Sequence, residues 1–162
     1  MMTIPTPYQR FEGEVLPEWI DWNNHLNLAY YLVLFDHATD LLFDELGLGL
    51  DYRRNEEKGT FVAETHIVYE RELLVGEKVR VATRILGSDE KRLHLGHEMF
   101  RLRDGERSAA QELMFLHMDL KARRVSPFPP ELRARIGAWT EAHAALPRPA
   151  WAGRRLEIPG RS

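Results

Sequence analysis

The spacing of apolar positions changes along the 162 residues from two, to three and four, and back to two, and each change marks an element. From Tyr8 to Val15, Phe11, Gly13 and Val15 alternate with Glu12 and Glu14, which predicts a short half-exposed strand closed by Pro17. From Leu28 to Leu46, Tyr31, Leu34, Phe35, Ala38, Leu41, Leu42 and Leu46 recur at helical steps, while Asp36, Asp40 and Asp44 mark another face. This predicts a long core-facing helix with Asn27 as N-cap and Gly47 as C-terminal cap. Asp51 to Gly59 reads as a charged surface loop.

Beyond Gly59, Phe61, Ala63, Thr65, Ile67 and Tyr69 share one strand face, and Val62, Glu64, His66 and Val68 share the other. Lys78 to Leu86 repeats the alternation, and Arg92 to Arg103 and Arg107 to Leu120 form two more strands joined by the hairpin dipeptide Asp104-Gly105. The expected result is a four-stranded antiparallel meander following one helix. Three prolines between Val125 and Pro130 end the sheet, Glu131 to Leu146 offers a second, more polar helix, and the remaining tail is expected to be loosely held. One strand, a long helix and four strands make an α+β plan in which the sheet wraps the helix. With no repeat or internal linker, residues 1–162 are expected to form one domain, its core at about residues 8–128 and its C-terminal helix and tail at residues 129–162.

Composition narrows the chemistry. A formal net charge of -3, with small separated basic clusters, argues against a nucleic-acid partner. The absence of cysteine excludes a disulfide framework, a thiolate nucleophile and cysteine-held metals. No apolar run is long enough to span a bilayer, and Met1 to Arg10 lacks a signal-like apolar region, so no membrane partner and a cytoplasmic location are expected. His94 and His97, three apart on a strand, point to opposite faces, and no metal site is expected. Gly47-Leu48-Gly49 lacks a third glycine and follows a helix, so it terminates that helix and does not bind a nucleotide. No serine sits in a nucleophile elbow, which leaves a carboxylate or water as any attacking group.

The candidate chemistry lies just before the long helix. In an extended chain Asp21, Asn23, His25 and Asn27 would line one edge, and the row ends where unpaired backbone N–H groups and a positive helix terminus suit an oxyanion. A lone Asp or Asn there would be a turn or cap residue, but four alternating polar groups beside Trp19, Trp22 and Tyr31 exceed what a turn needs. Glu64 and His66 stand between Val62 and Val68 on one strand face, so Glu64 is expected to be paired or functional. Glu72, near the end of that strand, ranks below Asp21 as a candidate.

The order of elements and the row Asp21-x-Asn23-x-His25-x-Asn27 resemble the hotdog-fold thioesterases over roughly Phe11 to Phe128. In that family a curled antiparallel sheet wraps a long central helix. Asp21 matches the catalytic aspartate of the 4-hydroxybenzoyl-CoA thioesterase-like group and Tyr31 a tyrosine of the following helix, while Asn24 stands where many members have glycine. The spelling also resembles plant acyl-ACP thioesterases, whose catalytic Asp, Asn, His and Glu would fall on Asp21, Asn23, His25 and Glu72. Trp19-Ile20-Asp21, Gly59-Thr60, Glu64-Thr65-His66-Ile67, Asp89 to His94 and Glu112 to Asp119 look like the thioesterases of carnitine breakdown, which act on betainyl-CoA.

The resemblance implies an acyl-CoA thioesterase that needs no cofactor, coenzyme A being part of the substrate. Asp21 would act as general base or nucleophile, with Asn23 and His25 holding it or the water, and N–H groups near Asn27 and Leu28 would bind the oxyanion. Tyr31 would line the substrate site, Glu64 or Glu72 would add a second carboxylate, and Lys91 and Arg92 are candidates for the CoA phosphates, a solvated hairpin being an equally good account of them. A homodimer that extends the sheet, or a homotetramer, is expected because one layer leaves its edges bare. The rivals are an acyl-CoA hydratase or dehydratase of the same fold and an acyl-CoA-binding module without turnover.

Overall fold

The computed structural model describes residues 3–160. Its elements are β1 (Tyr8–Glu14), α1 (Leu28–Leu46), α2 (Leu50–Glu56), β2 (Lys58–Tyr69), β3 (Lys78–Ser88), β4 (Arg92–Arg101), β5 (Arg107–Asp119), β6 (Arg124–Val125) and α3 (Pro130–His143). The long helix starts and stops where its caps require. The Asn27 side chain accepts from the Ala29 N–H, and Gly47 turns left-handed at φ 79°. Tyr31, Leu34, Phe35, Ala38, Leu42, Phe43 and Leu46 are buried, and Leu41, expected among them, faces out.

The antiparallel sheet curls about α1 in the order β1-β3-β4-β5-β2, with β6 on β5. The expected four-strand meander is therefore only β3-β4-β5. Strand β1 takes the edge of β3 that β2 would have used, and β2 crosses to pair with β5 along its length. Alternation shows which residues face inward but not which strand is the neighbour. The crossing segment Glu70–Glu77 runs past the start of α1, where the Leu26 N–H donates to the Leu73 carbonyl at 2.7 Å. That crossing delivers the end of β2 to the polar turn.

Other expectations change in detail. The stretch read as a charged loop is mostly α2, whose one partly buried aromatic, Tyr52, hydrogen-bonds His117 at 2.8 Å. So short and polar a helix leaves no periodicity to read. A bulge between Val62 and Glu64 puts Val62 opposite Phe115 and Glu64 opposite Met114, so Phe61 and Val62 exchange the faces that strict alternation assigns them. Strand β2 is an exposed edge strand, with Phe61 64% and Tyr69 46% accessible.

The tail is fastened as far as Gly153. Arg84 donates to the Pro147 carbonyl at 2.7 Å, and the Gly153 N–H donates to Glu112 at 2.8 Å. Trp151 is buried against Gly96, where an added Cβ would lie 2.6 Å from the indole ring. A single tryptophan among prolines and arginines carries no periodic signal.

Candidate active site

A bridge between Ile20 and Leu26 closes the residues between them into a tight turn. Within it the Asp21 N–H donates to the His25 carbonyl at 3.1 Å and the Asn24 N–H to the Asp21 carbonyl at 3.0 Å. Asn24 adopts φ 63°, a left-handed conformation that asparagine tolerates better than most residues. The expected extended row is therefore a turn, and its polar groups converge by curling.

The Asp21 carboxylate accepts from the Asn23 backbone N–H at 2.8 Å and, over a long 3.4 Å, from the Asn27 side-chain amide. It is the backbone of Asn23, not its side chain, that holds Asp21. His25 does not reach the carboxylate either, because its Nδ1 lies 3.2 Å from the Leu26 carbonyl. The Asn27 N–H, expected as an oxyanion donor, is engaged by the Trp19 carbonyl at 2.9 Å. The Leu28 N–H has no acceptor among the described hydrogen bonds and stands at the positive end of α1.

Asp21, Asn23, His25, Tyr31 and Glu72 line one cleft of about 370 Å³ together with Tyr69. Tyr31 is buried, and its hydroxyl donates to the Arg71 carbonyl at 3.3 Å. Burial pushes its phenol up to about 12, so it stays neutral. The Tyr69 hydroxyl donates to the Leu28 carbonyl at 3.2 Å, and the two rings meet edge to face at 5.1 Å. In the sequence Tyr69 is legible only as one residue of a strand face, although its place just before the crossing segment is the signal that it ends at the turn.

Charge in this cleft is one-sided. Glu70 is paired with Arg107 at 2.8 Å and Arg71 with Glu106 at 3.1 Å. Asp21 and Glu72 have no ion-pair partner among the described residues. A larger hollow of about 650 Å³ lies between α1, α2 and the start of β2 and contains none of the expected residues.

Three expected site residues lie elsewhere. Glu64 is on the convex face with His66, 3.3 Å away, and opposite Met114 of β5. Lys91 and Arg92 stand at the opposite end of β4 from Arg101, whose guanidinium donates to the Glu72 carbonyl, so roughly 30 Å of strand separates them from the cleft. Arg92 is also paired with Asp89 at 2.6 Å. Of the aromatics near Asp21, Trp19 stacks on Tyr30 at 5.3 Å, and Trp22 is 94% exposed.

Comparison with known proteins bears on this cleft. A family model described as the thioesterase-like superfamily matches residues 15–136. A betainyl-CoA thioesterase of Pseudomonas aeruginosa is 41% identical over 92% of this chain and 94% of its own length. A Staphylococcus aureus protein solved in complex with CoA superposes with a TM-score of 0.87 at 27% identity, over 98% of this chain and all of that one. A candidate thioesterase from Pseudomonas putida KT2440 gives a TM-score of 0.81 at 36% identity, over 95% of this chain and 98% of that one.

Proposed function

This chain belongs to the thioesterase-like superfamily and is a thioester hydrolase with the hotdog architecture; from that premise we propose that it hydrolyses betainyl-CoA to betaine and free coenzyme A at the Asp21 cleft. The observation that carries the substrate is the 41% identity, over nearly the whole of both chains, to the Pseudomonas aeruginosa betainyl-CoA thioesterase.

In this reading a water attacks the thioester carbonyl carbon and Asp21 takes its proton, or Asp21 itself attacks and water later releases the acyl group. The carbonyl oxygen becomes an oxyanion beside the free Leu28 N–H at the start of α1. Collapse expels the CoA thiolate, which takes up a proton. The Asn23 N–H and the Asn27 amide fix the rotamer of Asp21, and Glu72 is the second carboxylate. Such a reaction consumes only water, so no cofactor is assigned. Lys91 and Arg92 receive no role at the cleft of their own protomer.

The bare edge of β2, with Phe61 accessible, supports a homodimer that continues the sheet there. No helix among the described residues is long and apolar enough to cross a membrane.

The test is release of free thiol from a panel of short, long, aromatic and cationic acyl-CoAs. Betainyl-CoA is expected to give the highest kcat/KM. A hydratase would consume an unsaturated acyl-CoA without thiol release, and a binding module would retain ligand without turnover.

A further inference from the structure

In a betainyl thioester the quaternary nitrogen is one carbon from the carbonyl carbon, a separation of about 2.5 Å. A receptor for that cation must therefore share the cleft with the group that attacks the carbonyl. An aromatic face binds such a cation within about 6 Å of the ring centre. This excludes most of the aromatics near Asp21. Trp19 and Tyr30 are stacked on each other, and Trp22 projects into solvent. Tyr31 lines the cleft but is only 4% exposed.

Tyr69 differs from all of these. It lines the cleft with Asp21, keeps 46% of its surface accessible, and is held at both ends of its side chain. Its backbone pairs with Ala109 in the sheet, and its hydroxyl is tethered to the Leu28 carbonyl. The ring rests edge to face on Tyr31, so it cannot swing away without breaking that contact and the tether. Glu72, three residues on and without an ion-pair partner among the described residues, adds negative charge to the same cleft. The cations nearby are already committed, Arg71 to Glu106 and Arg107 to Glu70 and Glu98.

We propose that Tyr69, backed by Glu72, is the specificity-determining residue that selects an acyl group carrying a quaternary ammonium. The inference rests on the proposed hydrolysis at the Asp21 cleft and adds to it the residue that recognises the acyl tail. Choice between a cation and a neutral group of the same shape then comes from a ring face and a carboxylate. Shape alone cannot distinguish them.

The experiment compares kcat/KM for betainyl-CoA and for 3,3-dimethylbutyryl-CoA, its neutral isostere with carbon in place of nitrogen, by thiol release from the full chain. The readout is the ratio of the two, in which any loss common to both substrates cancels. Tyr69→Leu is expected to lower the ratio by roughly tenfold or more. Tyr69→Phe, which keeps the ring face and removes the tether, is expected to retain most of it. Glu72→Gln is expected to lower it by a smaller factor. A ratio in Tyr69→Leu equal to that of the unaltered chain overturns the inference and leaves the hydrolase reading intact. Absence of thiol release from both substrates by the unaltered chain overturns the betainyl reading itself.

Discussion

The Asp21 turn and the Glu112 contact each place a carboxylate near histidine, and they are built in opposite ways. Glu112 lies on the convex side of β5, 9% exposed, with one oxygen 2.9 Å from His94 Nε2 and the other accepting the Gly153 N–H at 2.8 Å. Its bonding capacity is spent on the strand beside it and on the fastened tail. Asp21 sits on a turn, takes one good backbone hydrogen bond and one long amide contact, and opens onto a cleft that carries no free cation among the described residues. Proximity of acid and imidazole is thus a poor sign of reactivity in this molecule. Free lone pairs facing a hollow beside an unused N–H are the better one.

The strongest way to break this comparison is to neutralise each carboxylate. Asp21→Asn keeps the shape of the turn but cannot take a proton, so kcat is expected to fall by about 10² or more, roughly 3 kcal/mol in the barrier, with little change in the denaturation midpoint. A folded variant that kept more than about half of the original kcat would move the reaction elsewhere. Glu112→Ala should do the reverse. It strands the Gly153 N–H and the His94 ring, and a loss of about 2 kcal/mol in stability is expected, with kcat changed far less than by Asp21→Asn. Urea midpoints and thiol release on both variants measure the two effects side by side.

These two regions also differ in how far the sequence reveals them. The helix Leu28–Leu46, its Asn27 and Gly47 caps and the alternation of β3 follow from periodicity, because each turns one apolar face to the core. Asp21, Asn23, His25, Tyr31 and Glu72 stand out in the sequence as candidates and do meet in one cleft. Their mode of meeting is not legible there, since alternation assumes an extended chain and cannot show a turn that depends on Asn24 at φ 63°. One bulge exchanges the faces expected of Phe61 and Val62, and the position of β2 beside β5 depends on a crossing that local spacing does not record. The Glu112–Gly153 bond is invisible for a similar reason, as it joins residues 41 apart through a single N–H.

Acid separates the closed side of the molecule from the open one by a smaller margin. His97 is fully buried, between the Thr39 and Thr83 hydroxyls at 2.9 Å each, and burial pushes it down to about 3. His143 is likewise lowered, first by burial, and its Nδ1 accepts the Ile85 N–H at 2.8 Å, a bond that only the unprotonated nitrogen can make. Both are neutral in the native state, whereas in the unfolded chain each takes a proton near its ordinary 6.5. Stability is therefore insensitive to these groups above about pH 7 and falls as pH drops below 6.5, the loss from His97 continuing toward 3. Between pH 7 and 5.5 His97 is expected to cost about 1 kcal/mol. His97→Gln should flatten the slope of urea-derived stability against pH in that window, and an unchanged slope would show that His97 is not a neutral core residue.

The smallest effect expected concerns the turn that makes Asp21 available. Asn24 occupies left-handed backbone where many thioesterases of this fold carry glycine, and its N–H reaches back to the Asp21 carbonyl. Glycine enters that conformation without steric cost but gives the unfolded chain more freedom, so the two contributions of Asn24→Gly oppose each other and should nearly cancel, within about 0.5 kcal/mol. Alanine has a Cβ and no side chain that bonds locally, and in left-handed backbone it should destabilise by about 1 kcal/mol. Because the Asn23 N–H that orients Asp21 is the preceding donor in the same turn, Asn24→Ala should also lower kcat by a modest factor, while Asn24→Gly keeps it. Urea midpoints and kcat of the two variants decide the matter together. If alanine and glycine behaved alike in both measurements, the turn would not depend on a left-handed residue at position 24, and the availability of Asp21 would have to rest on the Ile20–Leu26 bridge alone.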